Sequence, residues 1–302
     1  RKNRMTNLLI TGGLGHIGSF LLKHLSREKY KITVVDDMST QRYSTLFNVD
    51  DVTFWERDFD SLGAAEIERF DAVVHLAART DAASSVEDKE KTFSVNVTKT
   101  CRFIEKIGKS TKFIFPSSTS VYGKGQEIML EDEDNVDPQS PYAESKNIVE
   151  RYLFTSDIDY NVLRFGTIFG TSKGMRFHTA INKFCYQASL GRQLTVWRQN
   201  YEHHRPYLGL VDASQAIEMC LDGKLKKKTV YNVLSENARL SDIVSLIKKN
   251  KKVSVNFVDT PLLNQNTYFV NDDKIRALGF RPNDSLEKGI FDTLCLLSGI
   301  KN

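Results

Sequence analysis

The segment TGGLGHIG, residues 11–18, follows the short apolar run at residues 8–10 and precedes a stretch in which apolar residues recur with helical spacing. A glycine-rich turn between a strand and a helix lets the backbone approach a pyrophosphate closely. The amide groups and the partial positive charge at the start of the helix attract the phosphates. The segment therefore predicts a cradle for a dinucleotide. Its predicted contacts are Gly12, Gly15, His16, Ile17 and Gly18.

An acidic residue about 20 positions further on strengthens this prediction. Asp36 ends the apolar run in KITVVDD, at the place where a carboxylate hydrogen-bonds the ribose of an adenosine. The same carboxylate repels a ribose 2′-phosphate, so the sequence favours NAD over NADP. Asp37 stands beside Asp36, and the spacing leaves either residue available for this role.

Strand-like and helix-like segments alternate along the first half of the chain. The predicted strands are short and apolar, and they cover residues 8–10, 32–35, 52–55, 72–76, 113–115 and 162–165. Between them, apolar residues recur with helical spacing at residues 17–25, 93–107 and 148–153,. Strands buried on both faces and connected by helices predict an α/β fold with a doubly wound parallel sheet.

The second half of the chain is less regular. Helices are predicted at residues 180–190, 213–221, 243–249 and 286–297, and short strands at residues 229–233 and 253–258,. These elements predict a smaller α/β domain over the open end of the sheet. We therefore divide the chain into a dinucleotide-binding domain, residues 5–165, and a substrate-binding domain, residues 166–302, that is partly interleaved with the first.

The composition of the chain excludes several classes of protein. Of the 302 residues, 40% are hydrophobic and 26% are charged, as in an ordinary globular protein. No apolar run approaches the ~18 residues of a membrane span, and the RKNRMTN start lacks a signal-peptide pattern, so a cytoplasmic protein without membrane contact is expected. The net charge of +4 is mild and the lysine-rich segments 224–228 and 248–252 contain no aromatic residue, so nucleic-acid binding is not expected,. The four widely separated cysteines predict neither disulfides nor a metal site,.

A tyrosine and a lysine four residues apart carry the catalytic prediction. In SPYAESK, Pro141 opens a predicted helix, and Tyr142 and Lys146 fall on one face of it,. A tyrosine with an ordinary pKa of about 10 is a poor base at neutral pH, but a neighbouring ammonium group favours its phenolate form. The segment PSSTSVYG, residues 116–123, follows the fifth predicted strand and places several hydroxyl groups near the expected site,.

Together these motifs resemble the extended short-chain dehydrogenase/reductase family, specifically its NAD-dependent nucleotide-sugar epimerases and dehydratases. The resemblance covers nearly the whole chain. It rests on TGGLGHIG, HLAA at residues 75–78, SVNVTKT around Asn96, SSTSVYG, SPYAESK, VLRFGTIFG at residues 162–170 and HRPYLGLVDA at residues 204–213. It implies a fold like that of UDP-glucose 4-epimerase, NAD as the cofactor and a nucleotide-diphosphate sugar as the substrate.

The resemblance also implies roles for individual residues. Tyr142 would take a proton from a sugar hydroxyl while hydride leaves the same carbon, Lys146 would hold the nicotinamide ribose, and Ser118 would hydrogen-bond the reacting oxygen. Arg205 matches the basic residue that clamps the substrate diphosphate. Other positions matched to the cofactor are Asp58, Phe59, Leu76, Ala77, Ala78 and Asn96, and other candidate substrate contacts are Thr119, Thr167, Arg176 and His204.

Departures from the family pattern favour one type of reaction. Dehydratases and uronate decarboxylases of the family carry a carboxylate directly after the catalytic hydroxyl residue, whereas this chain has Thr119 and Ser120. Neither a 4,6-dehydratase nor a decarboxylase is therefore expected. Two substrate contacts also differ. An asparagine is missing after Arg164, and segment 260–273 lacks the second arginine of the phosphate clamp, for which Arg176 would compensate.

Three functions fit these residues. The first, which we favour, is an NAD-dependent nucleotide-sugar 4-epimerase, in which hydride leaves C4 and returns to the other face of the 4-keto sugar. The second is a net C4 dehydrogenase or reductase for a deoxy or heptose sugar. The third is an NAD(H)-binding regulator without turnover, against which the intact Ser118, Tyr142 and Lys146 argue. Family members pair through two helices, so helix 93–107 and the helix of Tyr142 predict a homodimer.

Overall fold

The computed structural model describes residues 4–123, 127–132, 136–259 and 267–299. Its strands are β1 (Thr6–Thr11), β2 (Tyr30–Asp36), β3 (Val52–Glu56), β4 (Ala72–His75), β5 (Lys112–Ser118), β6 (Ile128–Met129), β7 (Asp159–Phe165), β8 (Thr167–Phe169), β9 (Leu194–Trp197), β10 (His204–Gly209), β11 (Thr229–Val233), β12 (Glu236–Arg239), β13 (Val255–Val258) and β14 (Phe269–Val270). Its α-helices are α1 (His16–His24), α2 (Ala64–Ile67), α3 (Ala82–Glu87), α4 (Lys89–Phe93), α5 (Thr100–Glu105), α6 (Pro141–Phe154), α7 (Ala180–Ser189), α8 (Leu210–Leu221), α9 (Leu240–Asn250), α10 (Asp273–Arg276) and α11 (Leu286–Leu296).

Seven of the described strands form one parallel sheet in the order β11-β7-β5-β4-β1-β2-β3. The strand order reverses at β1, which pairs with β2 on one side and with β4 on the other. This arrangement confirms the predicted doubly wound α/β fold. In such folds, ligands bind beyond the carboxyl ends of the strands at the reversal point. The glycine-rich segment follows β1 and the HLAA segment follows β4, so the two predicted cofactor segments meet there.

Helices cover both faces of the sheet because its strands are apolar on both sides. In β1, Leu8 and Ile10 point into one buried cluster with side chains of α1 and α8, whereas Leu9 points into the opposite cluster with α5 and α6. This alternation follows the two-residue period of a strand. All three side chains are fully buried, so β1 is held in the middle of the core.

One prediction about the second half of the chain is wrong. The sequence places residues 229–233 in the smaller domain, but β11 pairs with β7 at the edge of the central sheet, where Val230 lies beside Val162. Helix α8 also covers the central sheet, next to α1. A buried strand shows the same apolar pattern in either sheet, so the pattern did not reveal its partner.

A smaller layer stands beyond the carboxyl end of β7. Strands β8, β10 and β12 form a three-stranded sheet, and β9 pairs with β13. Helices α7, α9 and α11 bury a common apolar core that includes Phe184, Ile243 and Ile290. Because β8 begins two residues after β7 ends, this layer is attached directly to the ligand-binding edge of the central sheet. The division of the chain into two domains at residue 165 stays a prediction.

The helix predicted at residues 93–107 is interrupted. Helix α4 ends at Phe93, Ser94–Lys99 is π-helical, and α5 begins at Thr100. Single π-helical turns inside α-helices often occur near functional sites. Within this turn, Asn96 is buried and its side-chain oxygen accepts a hydrogen bond of 2.8 Å from the amide of Arg79. The interruption therefore ties the helix to the segment that follows β4.

Candidate active site

The glycine-rich segment forms a tight turn from β1 into α1. Gly12 has a φ of +64°, and a Cβ there would lie 2.5 Å from the backbone of Ala77. A Cβ on Gly18 would lie 2.3 Å from the carbonyl oxygen of Gly13. The packing of the chain itself therefore requires glycine at these two positions. A Cβ on Gly15 would have its nearest neighbour 3.4 Å away, so Gly15 is the position where the fold leaves room for a ligand.

The start of α1 offers amide groups to an anion. Gly15 is its N-cap and brings no capping side chain, and no acidic residue stands in the first turn. The Nε2 atom of His16 donates to the carbonyl oxygen of Gly170 at 2.8 Å, and burial lowers the pKa of His16 to about 4, so its ring is neutral. Ile17 packs against the core. The positive end of the helix is thus left for a ligand, as the predicted cradle requires.

The structure distinguishes the two adjacent aspartates. At the end of β2, the carboxylate of Asp36 accepts hydrogen bonds from the amides of Leu14 (3.2 Å) and Met38 (3.0 Å). Burial raises the pKa of Asp36, so further donors such as ribose hydroxyls would stabilise its carboxylate,. Asp37 is exposed and accepts from the amide of Ser39. Asp36, rather than Asp37, therefore faces the glycine-rich turn.

The HLAA segment runs beside the same turn. The amide of Leu76 donates to the carbonyl oxygen of Thr11 at 2.9 Å. His75 is buried, and its ring nitrogens Nδ1 and Nε2 are hydrogen-bonded to the hydroxyls of Thr11 at 2.8 Å and Thr100 at 3.1 Å. Burial lowers the pKa of His75 to about 3, so it is a neutral core residue. The following Ala77 and Ala78 have small side chains at the edge where a cofactor would lie.

Two further residues matched to the cofactor follow β3. The carboxylate of Asp58 accepts from the amide of Asp60 at 3.0 Å and forms an ion pair with Lys99. The ring of Phe59 is buried edge-on against His75, with 4.9 Å between the ring centres. Both side chains are engaged within the protein, which leaves the backbone of this turn as the group that would contact an adenine.

Tyr142 and Ser118 meet at the carboxyl end of β5. The side chain of Ser118 is a polar neighbour of the Tyr142 hydroxyl, in the first turn of α6, and acts on the pKa of that phenol. Ser118 Oγ also accepts from the hydroxyl of Ser120 at 2.9 Å, so the proton of Ser118 is available to Tyr142. Burial raises the pKa of Tyr142 to about 12, whereas the bond from Ser118 and the charge of Arg176 act to lower it. The pair offers a hydroxyl that can exchange a proton with a substrate.

Lys146 lies one turn after Tyr142 on α6 and is buried. Its Nζ atom donates to the carbonyl oxygen of Pro116 at 2.8 Å and lies 4.6 Å from the centre of the Phe115 ring. Burial lowers the pKa of Lys146 to about 8, against the opposing effect of the carboxylate of Glu150 one turn further on. Tyr142 and Lys146 thus both face the end of β5, as their spacing predicts.

A segment whose position the sequence patterns did not predict crosses the glycine-rich turn. Residues 170–179, called the strap below, connect β8 to α7. The Ser172 hydroxyl donates to the carbonyl oxygen of His16, and the amide of Gly174 donates to the hydroxyl of Ser19, each at 2.9 Å. A Cβ on Gly174 would lie 2.3 Å from a carbonyl oxygen of the turn. The small residues in TSKGM were the signal in the sequence for this close approach.

Two arginines bring positive charge to the cradle. Arg42 donates to the carbonyl oxygen of Gly174, and Arg176 donates to the hydroxyl of Thr80, each at 2.8 Å. Burial and the nearby charge of Arg176 lower the pKa of Arg42 to about 10. Two neighbouring guanidinium groups favour an anion beside them. The structure therefore places Arg176, a candidate substrate contact, beside the cofactor cradle.

Three of the candidate substrate contacts, Thr167, His204 and Arg205, lie on the smaller layer. Thr167 is on β8 and Arg205 is on β10, which pair in parallel. The guanidinium of Arg205 lies 4.9 Å from the centre of the Tyr268 ring and donates to the carbonyl oxygen of His204 at 2.8 Å. The ring of His204 packs on Phe269, with 4.4 Å between the ring centres. Residues 260–266, part of the segment in which the second arginine is missing, lie outside the described residues.

The described residues contain neither a metal-binding cluster nor a membrane-spanning helix. Within the described ranges, no three His, Cys, Asp or Glu side chains gather where they could hold a metal ion. None of the helices in these ranges is both long enough and apolar enough to cross a membrane. Cys101, Cys185, Cys220 and Cys295 carry free thiols.

Comparisons with known proteins identify the family and the fold of the chain. Residues 8–233 match the model of the NAD dependent epimerase/dehydratase family. The UDP-glucose 4-epimerase of Bacillus subtilis is 28% identical over an alignment of 330 positions that spans 95% of this chain and 95% of that protein. The UDP-glucuronic acid 4-epimerase of Bacillus cereus, solved with UDP-glucuronic acid and NAD, shares the fold with a TM-score of 0.84 at 24% identity over 96% of this chain and 98% of its own. The UDP-glucose 4-epimerase of Thermus thermophilus, solved with NAD, has a TM-score of 0.83 at 24% identity over 97% and 99%.

Proposed function

Because the chain belongs to the NAD-dependent epimerase/dehydratase family, we propose that it is a nucleotide-sugar 4-epimerase that uses NAD and forms a transient 4-keto sugar. The observation that carries this proposal is the hydroxyl pair of Tyr142 and Ser118 beside a dinucleotide cradle. Thr119 and Ser120 directly follow Ser118, so the carboxylate that dehydratases of the family carry there is replaced by hydroxyl groups. Dehydration needs an acid–base group for the carbon beside the keto group, whereas epimerisation at C4 needs one proton acceptor and one hydride acceptor.

The chemistry follows from the positions of these side chains. Bound NAD supplies the hydride acceptor, which later returns the hydride. The phenolate of Tyr142 takes the proton of the sugar C4 hydroxyl as that carbon loses its hydride, and Ser118 donates a hydrogen bond to the same oxygen. After the 4-keto sugar has turned its other face to the cradle, Tyr142 returns the proton. The sugar changes configuration without net oxidation.

The residues that form the cradle fit NAD. The room at Gly15 and the uncapped start of α1 suit a diphosphate,. Arg42 and Arg176 add positive charge beside it. The carboxylate of Asp36 suits the two hydroxyls of an unphosphorylated ribose,. Lys146, with a pKa near 8, is mostly protonated at pH 7 and available to the second ribose.

The smaller layer supports a nucleotide-diphosphate sugar as the substrate. Arg205 carries several fixed donors, the geometry that suits a diphosphate. Its guanidinium is held by Tyr268 and by the backbone of His204, so it is oriented before a ligand binds. Thr167 lies on the neighbouring strand and would contact the sugar between Arg205 and Tyr142.

We also propose that the protein forms a homodimer through α5 and α6. These helices lie side by side on one face of the central sheet. Cys101 and Tyr152 pack against the core while staying partly exposed. A shallow cavity of about 260 Å³ between the helices is lined by apolar residues such as Ile104 and by polar residues such as Glu105. A two-fold interface here would cover this mixed surface.

The products formed from nucleotide sugars test the proposed function. We expect the purified protein, without added cofactor, to convert one of a panel of UDP-, GDP-, dTDP- and CDP-sugars into an isomer of unchanged mass over many turnovers. The reason is that bound NAD is regenerated in every cycle. Chromatography with mass spectrometry measures the product. A product lighter by two hydrogens, formed at most once per protein molecule, would contradict epimerisation and support the C4 dehydrogenase.

The cofactor assignment gives a second prediction. Asp36→Asn is expected to weaken NAD binding about tenfold and to reduce the preference for NAD over NADP, because it removes a charged acceptor of the ribose and the repulsion of a 2′-phosphate. Calorimetric titration of cofactor-free protein with both dinucleotides measures the effect. Asp37→Asn makes the same charge change at the exposed neighbour and should leave both affinities unchanged. Equal effects of the two variants would rule out the assignment.

A further inference from the structure

The strap holds the glycine-rich turn from the side of its carbonyl groups. The Ser172 hydroxyl donates to the carbonyl oxygen of His16 at 2.9 Å, and Ser172 Oγ accepts from the hydroxyl of Ser19 at the same distance. The oxygen of Ser19 in turn accepts from the amide of Gly174 at 2.9 Å. Three linked hydrogen bonds therefore join the strap to the first turn of α1.

Gly174 packs directly on the turn. A Cβ at this position would lie 2.3 Å from the carbonyl oxygen of Leu14 and 2.4 Å from that of Gly15. Gly174 is buried, and its own carbonyl oxygen accepts from Nη1 of Arg42 at 2.8 Å. The backbone of the strap is thus held between the turn and the segment after β2, with no room for a side chain.

The carbonyl groups that the strap contacts share peptide units with the amides of the cradle. A trans peptide unit is planar, and its C=O and N–H groups point in opposite directions. The carbonyl of Gly15 lies in one unit with the amide of His16, and the carbonyl of His16 lies in one unit with the amide of Ile17. Contacts that fix these two carbonyls therefore also fix the direction of two amides in the first turn of α1, where helices leave N–H groups unpaired.

Both ends of the strap are fixed as well. At its start, the carbonyl oxygen of Gly170 accepts from Nε2 of His16 at 2.8 Å. Toward its end, Asn182 on α7 is fully buried and donates from Nδ2 to the carbonyl oxygen of Arg176 at 2.7 Å. Because β8 and α7 belong to the smaller layer, this layer supports the cradle through the strap.

We propose that Ser172 and Gly174 are positioning residues for the cofactor. By holding the carbonyl side of the turn, they aim the amides of His16 and Ile17 at the diphosphate of NAD before NAD binds. A site that is formed in advance loses less conformational entropy on binding, so its affinity is higher. This inference rests on the proposed function, in which the cradle holds NAD.

Calorimetric titration of cofactor-free protein with NAD and with ADP tests the inference. Gly174→Ala is expected to weaken NAD binding about tenfold, because the added methyl group pushes the strap away from the turn,. Ser172→Ala removes one hydrogen bond and should weaken NAD binding about fivefold. Ser172→Thr keeps the hydroxyl and should restore most of the affinity. ADP carries the diphosphate without the nicotinamide, so its affinity should fall by the same factors.

Ser44→Ala is the matched control. The Ser44 hydroxyl is exposed and donates to the carbonyl oxygen of Lys173 in the strap at 3.4 Å, away from the turn, so its loss should leave both affinities unchanged. Wild-type affinity for NAD in Ser172→Ala, or a loss for NAD that ADP does not share, would overturn the inference. If the strap variants lose affinity as expected but the wild type isomerises no nucleotide sugar, the proposed epimerase fails and the inference stands. If sugars are isomerised and the affinities stay in place, the reverse holds.

Discussion

Replacing Tyr142 with phenylalanine is expected to lower the turnover number about a thousandfold, because a positioned acid–base group contributes roughly that much. The substitution removes the hydroxyl that neighbours Ser118 and that would exchange the proton of the sugar. It keeps the aromatic ring in the first turn of α6, so the fold and the cofactor cradle should be preserved. Initial rates of isomerisation measure the loss, and the NAD content of the purified variant reports whether the cradle is intact.

Tyr152→Phe is the matched control on the same helix. Tyr152 lies about 15 Å further along α6, where its hydroxyl donates to the carboxylate of Glu105 at 3.0 Å. Its removal should leave the turnover number unchanged. Full activity in Tyr142→Phe, with NAD still bound, would place the acid–base group elsewhere. That result would contradict the catalytic role of Tyr142, which the epimerase and the C4 dehydrogenase share.

Short-range patterns in the sequence predicted much of the site. The glycine-rich turn and the pair of Tyr142 and Lys146 each depend on a spacing of a few residues within one segment, and a segment keeps its spacing wherever the fold places it. The same patterns did not decide whether Asp36 or Asp37 contacts the ribose, because the two residues are adjacent at the end of one strand. The choice depends on which carboxylate lies beside the amide of Leu14, and that amide belongs to another segment.

These patterns could not predict contacts between distant parts of the chain. The strap contacts the glycine-rich turn, which lies about 150 residues earlier in the sequence. The residues TSKGM do not indicate which segment they contact. The strand at 229–233 was assigned to the wrong layer for the same reason, since its apolar pattern fits any buried sheet. Glu150 follows Lys146 by one helical turn, and this spacing indicates that the two side chains lie on the same face of the helix. Its pairing with Arg164 on β7 became visible only in the folded chain.

Glu150→Gln is expected to lower the free energy of unfolding by about 3–5 kcal/mol, the usual result of breaking a buried ion pair. The side chains of Glu150 and Arg164 are 0% and 1% exposed, and Nη2 of Arg164 lies 2.7 Å from the carboxylate. Arg164 also donates to the hydroxyl of Tyr122 at 3.0 Å. Glutamine keeps the shape of the side chain but leaves the guanidinium buried without its counter-charge. Urea unfolding followed by circular dichroism measures the loss.

A paired substitution separates the effect of charge from that of packing. Glu150→Leu combined with Arg164→Met should destabilise the protein less than Glu150→Gln alone, because neither charge then remains in the core. Asp157→Asn is the matched control at the surface. It breaks the ion pair of Asp157 with Lys109, in which the two side chains are 80% and 79% exposed, and should leave the unfolding free energy unchanged,. Equal losses in the paired and single variants would assign the stability of this network to packing.

The charge of Glu150 also raises the pKa of Lys146, so Glu150→Gln should deprotonate that lysine at a lower pH as well as weaken the core.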